Sequence, residues 1–183
     1  ASNPHYVSTD SIHAPIRRGD LVLFDFWAKL PAPGSIIADY TWMAFAGTRD
    51  EIPARQREIF AIVRQARDSG ISFIRDRLAA GQRVEGREVD DTVRAVINRA
   101  GYGRYFIHRT GHSITTVVHG DGANNDNFET QDDRALLPHT CCSMEPGIYL
   151  PEFGVRSEVD ILVLERDVEV TGVPIQEEIV ALL

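Results

Sequence analysis

Cysteine is scarce in this chain: there are two, adjacent at Cys141 and Cys142. Neighbouring cysteines bridge only through a strained ring, so they offer no disulfide framework. No Cys spacing of the zinc-binding kind is present either, which excludes a structural Cys-type site. Two reduced thiols point to a cytoplasmic setting. Long apolar runs are lacking as well. None approaches the roughly 18 residues needed to span a bilayer, and no charged-then-apolar signal segment opens the chain. Positive charge is in deficit, with 19 Lys and Arg against 27 Asp and Glu and a net charge of -8. No local basic patch offsets it, which excludes nucleic acid and anionic membranes as partners. There is no initiator Met; the start, Ala-Ser-Asn-Pro-His, reads as processed or as cut from something longer. What remains is an ordinary globular composition, 43% apolar and 25% charged over 183 residues, enough for one domain with a sizeable core.

Three of the six histidines fall between His108 and His119, among β-branched residues that favour strands. His108 and His112 are four apart and project to the same side whether the segment is extended or helical. Upstream, Pro4, Pro15 and Gly19 mark residues 1–20 as loop. Leu21 to Trp27 reads as a buried strand with a carboxylate, Asp25, in its middle. An unpaired buried carboxylate costs several kcal/mol, so Asp25 requires a cationic partner. Pro31, Pro33 and Gly34 make a turn, and Ser35 to Phe45 is the returning strand of a hairpin, carrying Asp39. Ile59, Val63, Ala66, Gly70, Phe73 and Ile74 share one side of a helix from Ala54 to about Ala80. A second helix, about 86–100, places Val89, Val93, Val96, Ile97 and Ala100 on one stripe before Gly101. Both read as packing elements, with their arginines on a solvated face.

Gly120 to Arg134 is dense in Asn and Asp but lacks the ligand alternation of a calcium loop, so it reads as turn-rich. Glu145 follows a Cys-Cys strand and precedes a Pro-Gly turn. Gly154 to Val163 alternates as one strand and sets Arg156, Glu158 and Asp160 on one face. The two strand-rich stretches flanking the helices suggest halves of similar build.

Asp25, Asp39, His112, Glu145 and Glu158 each sit on or at the end of a predicted strand, in surroundings too apolar for free carboxylates. Four carboxylates and a neutral imidazole carry a charge of -4, which two divalent cations would cancel. Oxygen-rich ligands with one nitrogen suit Mn, Co, Fe or Zn; scattered structural acids are the alternative.

In order along the chain, these residues resemble the pita-bread metallopeptidases, which include methionine aminopeptidase, Xaa-Pro aminopeptidase and prolidase. The Asp25 strand, Asp39 on its hairpin partner, Gly111-His112, Glu145 before Pro-Gly and Glu158 in Gly-Val-Arg-Ser-Glu carry the resemblance. The paired His108 and His112, the Glu-Pro-Gly-Ile-Tyr turn and Arg156 look more like the proline-specific branch. The resemblance implies an α/β pita-bread fold, a curved and mostly antiparallel sheet with helices on its outer face. It also implies metal ligands at Asp25, Asp39, His112, Glu145 and Glu158, holding two divalent ions. Manganese comes first, with cobalt, zinc or iron as alternatives.

By the same resemblance, Glu145 shuttles the proton of a metal-activated water, and His119 and His108 hold the substrate carbonyl and the tetrahedral intermediate. Arg156 helps fix the substrate, and His5 completes the substrate side. The implied activity is hydrolysis of peptides at Xaa-Pro bonds; a non-catalytic binding module or a creatinase-like amidinohydrolase on the same fold are the alternatives. Two departures stand out besides Ser113, where glycine is usual. The Asp25–Asp39 hairpin is longer than usual, and the chain begins almost at His5. The N-terminal part of the domain is therefore expected to be missing here, supplied by another chain or by a copy in a homo-oligomer, with Phe24, Phe26 and Trp27 left uncovered.

Overall fold

The computed structural model describes residues 3, 4, 9–11 and 13–183. Its first element is the expected hairpin. Strand β1 (Leu21–Ala28) pairs antiparallel with β2 (Ala38–Phe45), setting Asp25 opposite Thr41 and Asp39 opposite Trp27. Directly opposed residues share a face and so do residues two apart on one strand. Asp25, Trp27, Asp39 and Thr41 therefore line one side, and Phe24, Phe26, Tyr40 and Trp42 the other. The returning strand starts at Ala38 rather than Ser35. The expectation that Leu21 to Trp27 is buried is corrected: Phe24, Phe26 and Trp27 are all exposed. Among the described residues β1 pairs only with β2, so its outer edge is open. Exposure of these three aromatics matches the expectation that this run is left uncovered.

Helix α1 (Ala54–Ala79) ends before Gly81, which adopts a left-handed φ of 69° and so lets the chain leave the helix without strain. Helix α2 (Gly86–Arg99) opens on a capping box between Glu85 and Glu88. The predicted stripes meet: Ile59, Val63 and Ile74 join Val89, Val93 and Ile97 in one core with Met144 and Ile148. Gly70 stands where the layers touch. A Cβ there would lie 2.6 Å from Val93 Cγ2 and 2.8 Å from Met144 Cε.

The C-terminal half is built from short strands. β3 (Ser113–Ile114), β4 (Cys141–Met144), β7 (Val159–Val163) and β8 (Val168–Val170) form a four-stranded antiparallel sheet. β5 (Gly147–Tyr149) and β6 (Gly154–Arg156) make a separate hairpin, and β9 (Val180–Ala181) adds to β2 in parallel. Two expectations change here. The histidine stretch is mostly irregular, with β3 its only strand, because it is held by side-chain bonds, scattered backbone bonds and an isolated Gly111–Asn125 bridge rather than by a continuous ladder. Gly154 to Val163 is two strands, since Ser157 and Glu158 leave the β6 ladder before β7 begins. The Gly120–Arg134 loop is turn-rich as expected, with the Asp126 carboxylate accepting from the amides of Phe128, Glu129 and Thr130.

Candidate metal centre

The two larger sheets meet where the hairpin crosses the end of β7. Glu158 N donates to Thr41 O (3.2 Å) and Asp39 N donates to Asp160 Oδ2 (2.9 Å). This junction brings one carboxylate from each half together. Asp39, His112 and Glu158, all buried, offer ligand atoms within 4.8 Å of one another. Glu145 joins them, its Oε1 lying 3.3 Å from His112 Nε2. Asp25 is ion-paired with Arg156, the kind of partner expected for it, but Asp25 itself is exposed rather than buried, so the expected burial of this carboxylate is corrected. Arg156 also lies 3.9 Å from Glu145. All five predicted ligands line a cavity of about 390 Å³, together with His108, His119 and Arg156. His5 lies outside the described residues.

Local chemistry explains why each side chain stands where it does. A Cβ at Gly111 would come 2.1 Å from the Ser143 carbonyl oxygen, so glycine alone lets the chain before His112 lie against β4. His112 N donates to Ser143 Oγ (2.9 Å), and Ser143 Oγ donates to Glu145 Oε1 (3.0 Å). One buried hydroxyl thus spaces the imidazole and the carboxylate. Thr41 does the same across the hairpin, donating to Glu158 Oε2 (2.6 Å) and accepting from Arg156 Nε (2.8 Å). His119 sits edge-on to His112 with ring centres 4.4 Å apart, held there by the Gly120 N to Ser113 O bond (2.7 Å). His108 is buried, with Nε2 2.8 Å from the Tyr149 hydroxyl. Ser113 is accommodated in place of glycine, its Oγ accepting from Gly122 N (3.2 Å).

Burial disfavours charge throughout this cluster. It raises the Asp39 carboxyl to about 6, with the nearby Asp25 charge adding to the effect and Arg156 opposing it. Glu145 is pushed up to about 7 by burial against the opposing pull of Arg156. Glu158 is raised well above the carboxylate range by burial and then by Glu145 and Asp39. Asp160 rises to about 7, again mainly by burial. Burial also depresses the His112 imidazole to about 4, leaving it neutral near pH 7. Neutral imidazole is the form that ligates metal.

Thr41, Ser143, Tyr149 and Asp160 belong to this site, and sequence reasoning gave them no role in it. A usable signal was present: Thr41, Ser143 and Asp160 each lie two residues from an expected ligand, hence on the same face of a strand. The solvated-face reading of the arginines is also corrected. Arg67 is buried, its guanidinium donating to Ser157 Oγ (2.8 Å) and Gln176 O (2.9 Å), which anchors the residue before Glu158. Arg156, Glu158 and Asp160, expected on one face of the C-terminal strand stretch, are all buried.

The model of metallopeptidase family M24 matches residues 1–165. The chain belongs to this family. Among curated relatives of the M24 chain, the Xaa-Pro dipeptidase of Lactobacillus helveticus is 36% identical over 168 residues, 91% of this chain and 40% of that protein. The Xaa-Pro dipeptidase of Pyrococcus furiosus is 33% identical, over 89% of this chain and 42% of its own length. A dipeptidase structure from Pyrococcus horikoshii OT3 superposes with a TM-score of 0.82 and 30% identity, covering 100% of this chain and 46% of that one. The X-Pro aminopeptidase structure from Thermotoga maritima gives 0.78 and 27%, over 99% of this chain and 46% of its own. The M24 chain therefore has the pita-bread fold, and it spans about two fifths of the length of the curated relatives it matches. Among the described residues no helix is long and apolar enough to cross a membrane.

Proposed function

We propose that this chain carries the metal centre of a peptidase that hydrolyses Xaa-Pro bonds, with Asp25, Asp39, His112, Glu145 and Glu158 holding two divalent cations. The observation that carries the reading is the crowding of Asp39, Glu145 and Glu158 around neutral His112, where burial has raised all three carboxyls. Arg156, the cation closest to them, is already paired with Asp25. Such a cluster is stable in its charged form only with further positive charge. Its donor set, carboxylate oxygens with one imidazole nitrogen, suits manganese first and cobalt, zinc or iron next. When bound, the cations supply a water of lowered pKa and a polarised peptide carbonyl.

The side chains take the remaining work. Glu145, oriented by Ser143, takes up and returns a proton. His119 and His108 face the same cavity and donate to the carbonyl oxygen as charge develops on it. Arg156, buried between Asp25, Thr41 and Glu145, fixes the electrostatics of the wall that holds the substrate. His5 is assigned the substrate side. The Xaa-Pro dipeptidase and X-Pro aminopeptidase relatives support proline-directed specificity, and the two unbridged cysteines support a cytoplasmic setting. Metal analysis of the polypeptide after loading with Mn²⁺, with an assay on Xaa-Pro dipeptides and longer peptides, tests the proposal. Two ions per chain and proline-dependent cleavage are expected; a chain that takes up no divalent ion refutes it.

A further inference from the structure

Helix α2 carries a buried polar pair that reaches the candidate centre. Asp90 is fully buried, and Arg94 grips it with two bonds, Nε to Oδ2 (2.9 Å) and a terminal nitrogen to Oδ1 (3.0 Å). Neither group stops at its partner. Asp90 Oδ1 also accepts from Thr110 N (3.0 Å) and Thr110 Oγ1 (2.6 Å). Arg94 donates onward to Phe106 O and His108 O, both at 2.9 Å. Its guanidinium lies 4.1 Å from the ring centre of Phe106 and 4.5 Å from that of Phe128, a fixed slot that a flexible ammonium would not fill in the same way.

These bonds fall on the stretch of chain that regular structure does not hold. Between the end of α2 and β3 there are only a short 3-10 turn, Gly103–Tyr105, and an isolated bridge from Gly111 to Asn125. The backbone carrying His108 and His112 is therefore placed by what grips it: Arg94 at residues 106 and 108, Asp90 at Thr110, and Asn125 O, which accepts from Thr110 N (3.0 Å) and Gly111 N (3.1 Å). Thr110 passes the placement on, because its carbonyl accepts from Glu145 N (2.8 Å). A buried ion pair is no efficient source of stability, since apolar replacements of similar volume are often as stable. Its worth lies in directing charged donors and acceptors at particular backbone atoms.

We propose that Asp90 and Arg94 are positioning residues: from α2 they set the height of His108 and, through Thr110, the spacing between His112 and Glu145. The catalytic consequence rests on the metallopeptidase reading of the site, whereas the geometric part does not. Two variants of the whole polypeptide test it. Arg94→Lys keeps the charge and loses the planar fork; Thr110→Val removes only the hydroxyl bond to Asp90. Amide hydrogen exchange is read at Thr110, at Glu145 and at Ile161 in β7 as a control, and Mn²⁺ is titrated into each protein.

In Arg94→Lys, exchange at Thr110 and Glu145 should quicken by about tenfold or more while Ile161 keeps its protection. Mn²⁺ affinity should fall by roughly 10- to 100-fold, the range for residues that orient ligands. Thr110→Val should move both readouts in the same direction by less. If Arg94→Lys loses protection at Ile161 as well, Thr110→Val decides. Unchanged exchange at Glu145 in the folded variants overturns the proposal, and so does faster exchange with wild-type Mn²⁺ affinity. Should the wild-type chain itself take up no Mn²⁺, the metallopeptidase reading fails and the exchange measurement alone decides the placement.

Discussion

His119 touches His112 only edge-on and lies beyond the tight group of Asp39, His112 and Glu158. His119→Ala is therefore expected to retain bound metal and to lose about 10²- to 10³-fold in turnover on an Xaa-Pro peptide, the usual cost of one transition-state donor. Parallel loss of metal would make it a ligand instead. The raised carboxyls give a second expectation. Unfolded, Asp39, Asp160 and Glu145 would ionise near 3.8 to 4.5; folded, they hold protons up to about 6 to 7. In that window the native state binds more protons, so stability falls as pH rises. His112, depressed from 6.5 to about 4, works in the opposite direction over part of the window, one group against several. Melts without divalent ions should show Tm dropping from pH 5 to pH 8, and Mn²⁺ should raise Tm more at pH 8 than at pH 5. A larger gain at pH 5 would contradict the assignment. The candidate ligands stood out because a carboxylate in an apolar strand is conspicuous, and the family resemblance then joined them into one proposed set. Thr41 and Ser143 were not, because a strand hydroxyl is ordinary until register places it beside a charge.

Helix α1 tests the layer contacts. Gly70→Ala adds intrinsic helix propensity, worth about 1 kcal/mol, but drives a methyl into Val93 and Met144. Overpacking of this kind costs about 1–3 kcal/mol, and the β-branched Val93 has little freedom to yield. A net loss of stability in urea unfolding is expected; a neutral or stabilised variant would mean that α1 and α2 do not approach so closely. Both helices were legible from their apolar stripes, and the hairpin from its turn residues. The fates of Arg67 and Arg94 were not, since a helical wheel shows which side an arginine occupies but not whether a neighbouring loop will fold over it. The histidine stretch was misread as a strand for a related reason. Its β-branched residues report local preference, while its conformation is set by Asp90, Asn125 and Ser143 from other elements.

Among the described residues, the open edge of β1 and the exposed Phe24 and Phe26 beside it form an apolar face at the scale of the whole molecule. Exposed edges of this kind template pairing with other chains. The polypeptide is expected to self-associate through this face, and Phe24→Lys with Phe26→Lys should shift it towards monomer in sedimentation while Mn²⁺ uptake persists. Association unchanged by the double variant would place the contact elsewhere. The register of the same hairpin has another consequence. Asp25 and Asp39 are brought to one face by eight paired positions along β1 and β2, not by the segment that joins the strands. Lys29 Nζ and Ile37 N are tied to the carbonyls of Thr116 and Thr115, so residues 30–36 form a tip clamped at both ends. Lengthening a flexible loop is cheap, about 0.6 kcal/mol for each doubling. That tip is thus a module in which evolution or a laboratory library could graft new sequence while Asp25 and Asp39 keep their places in the cavity wall.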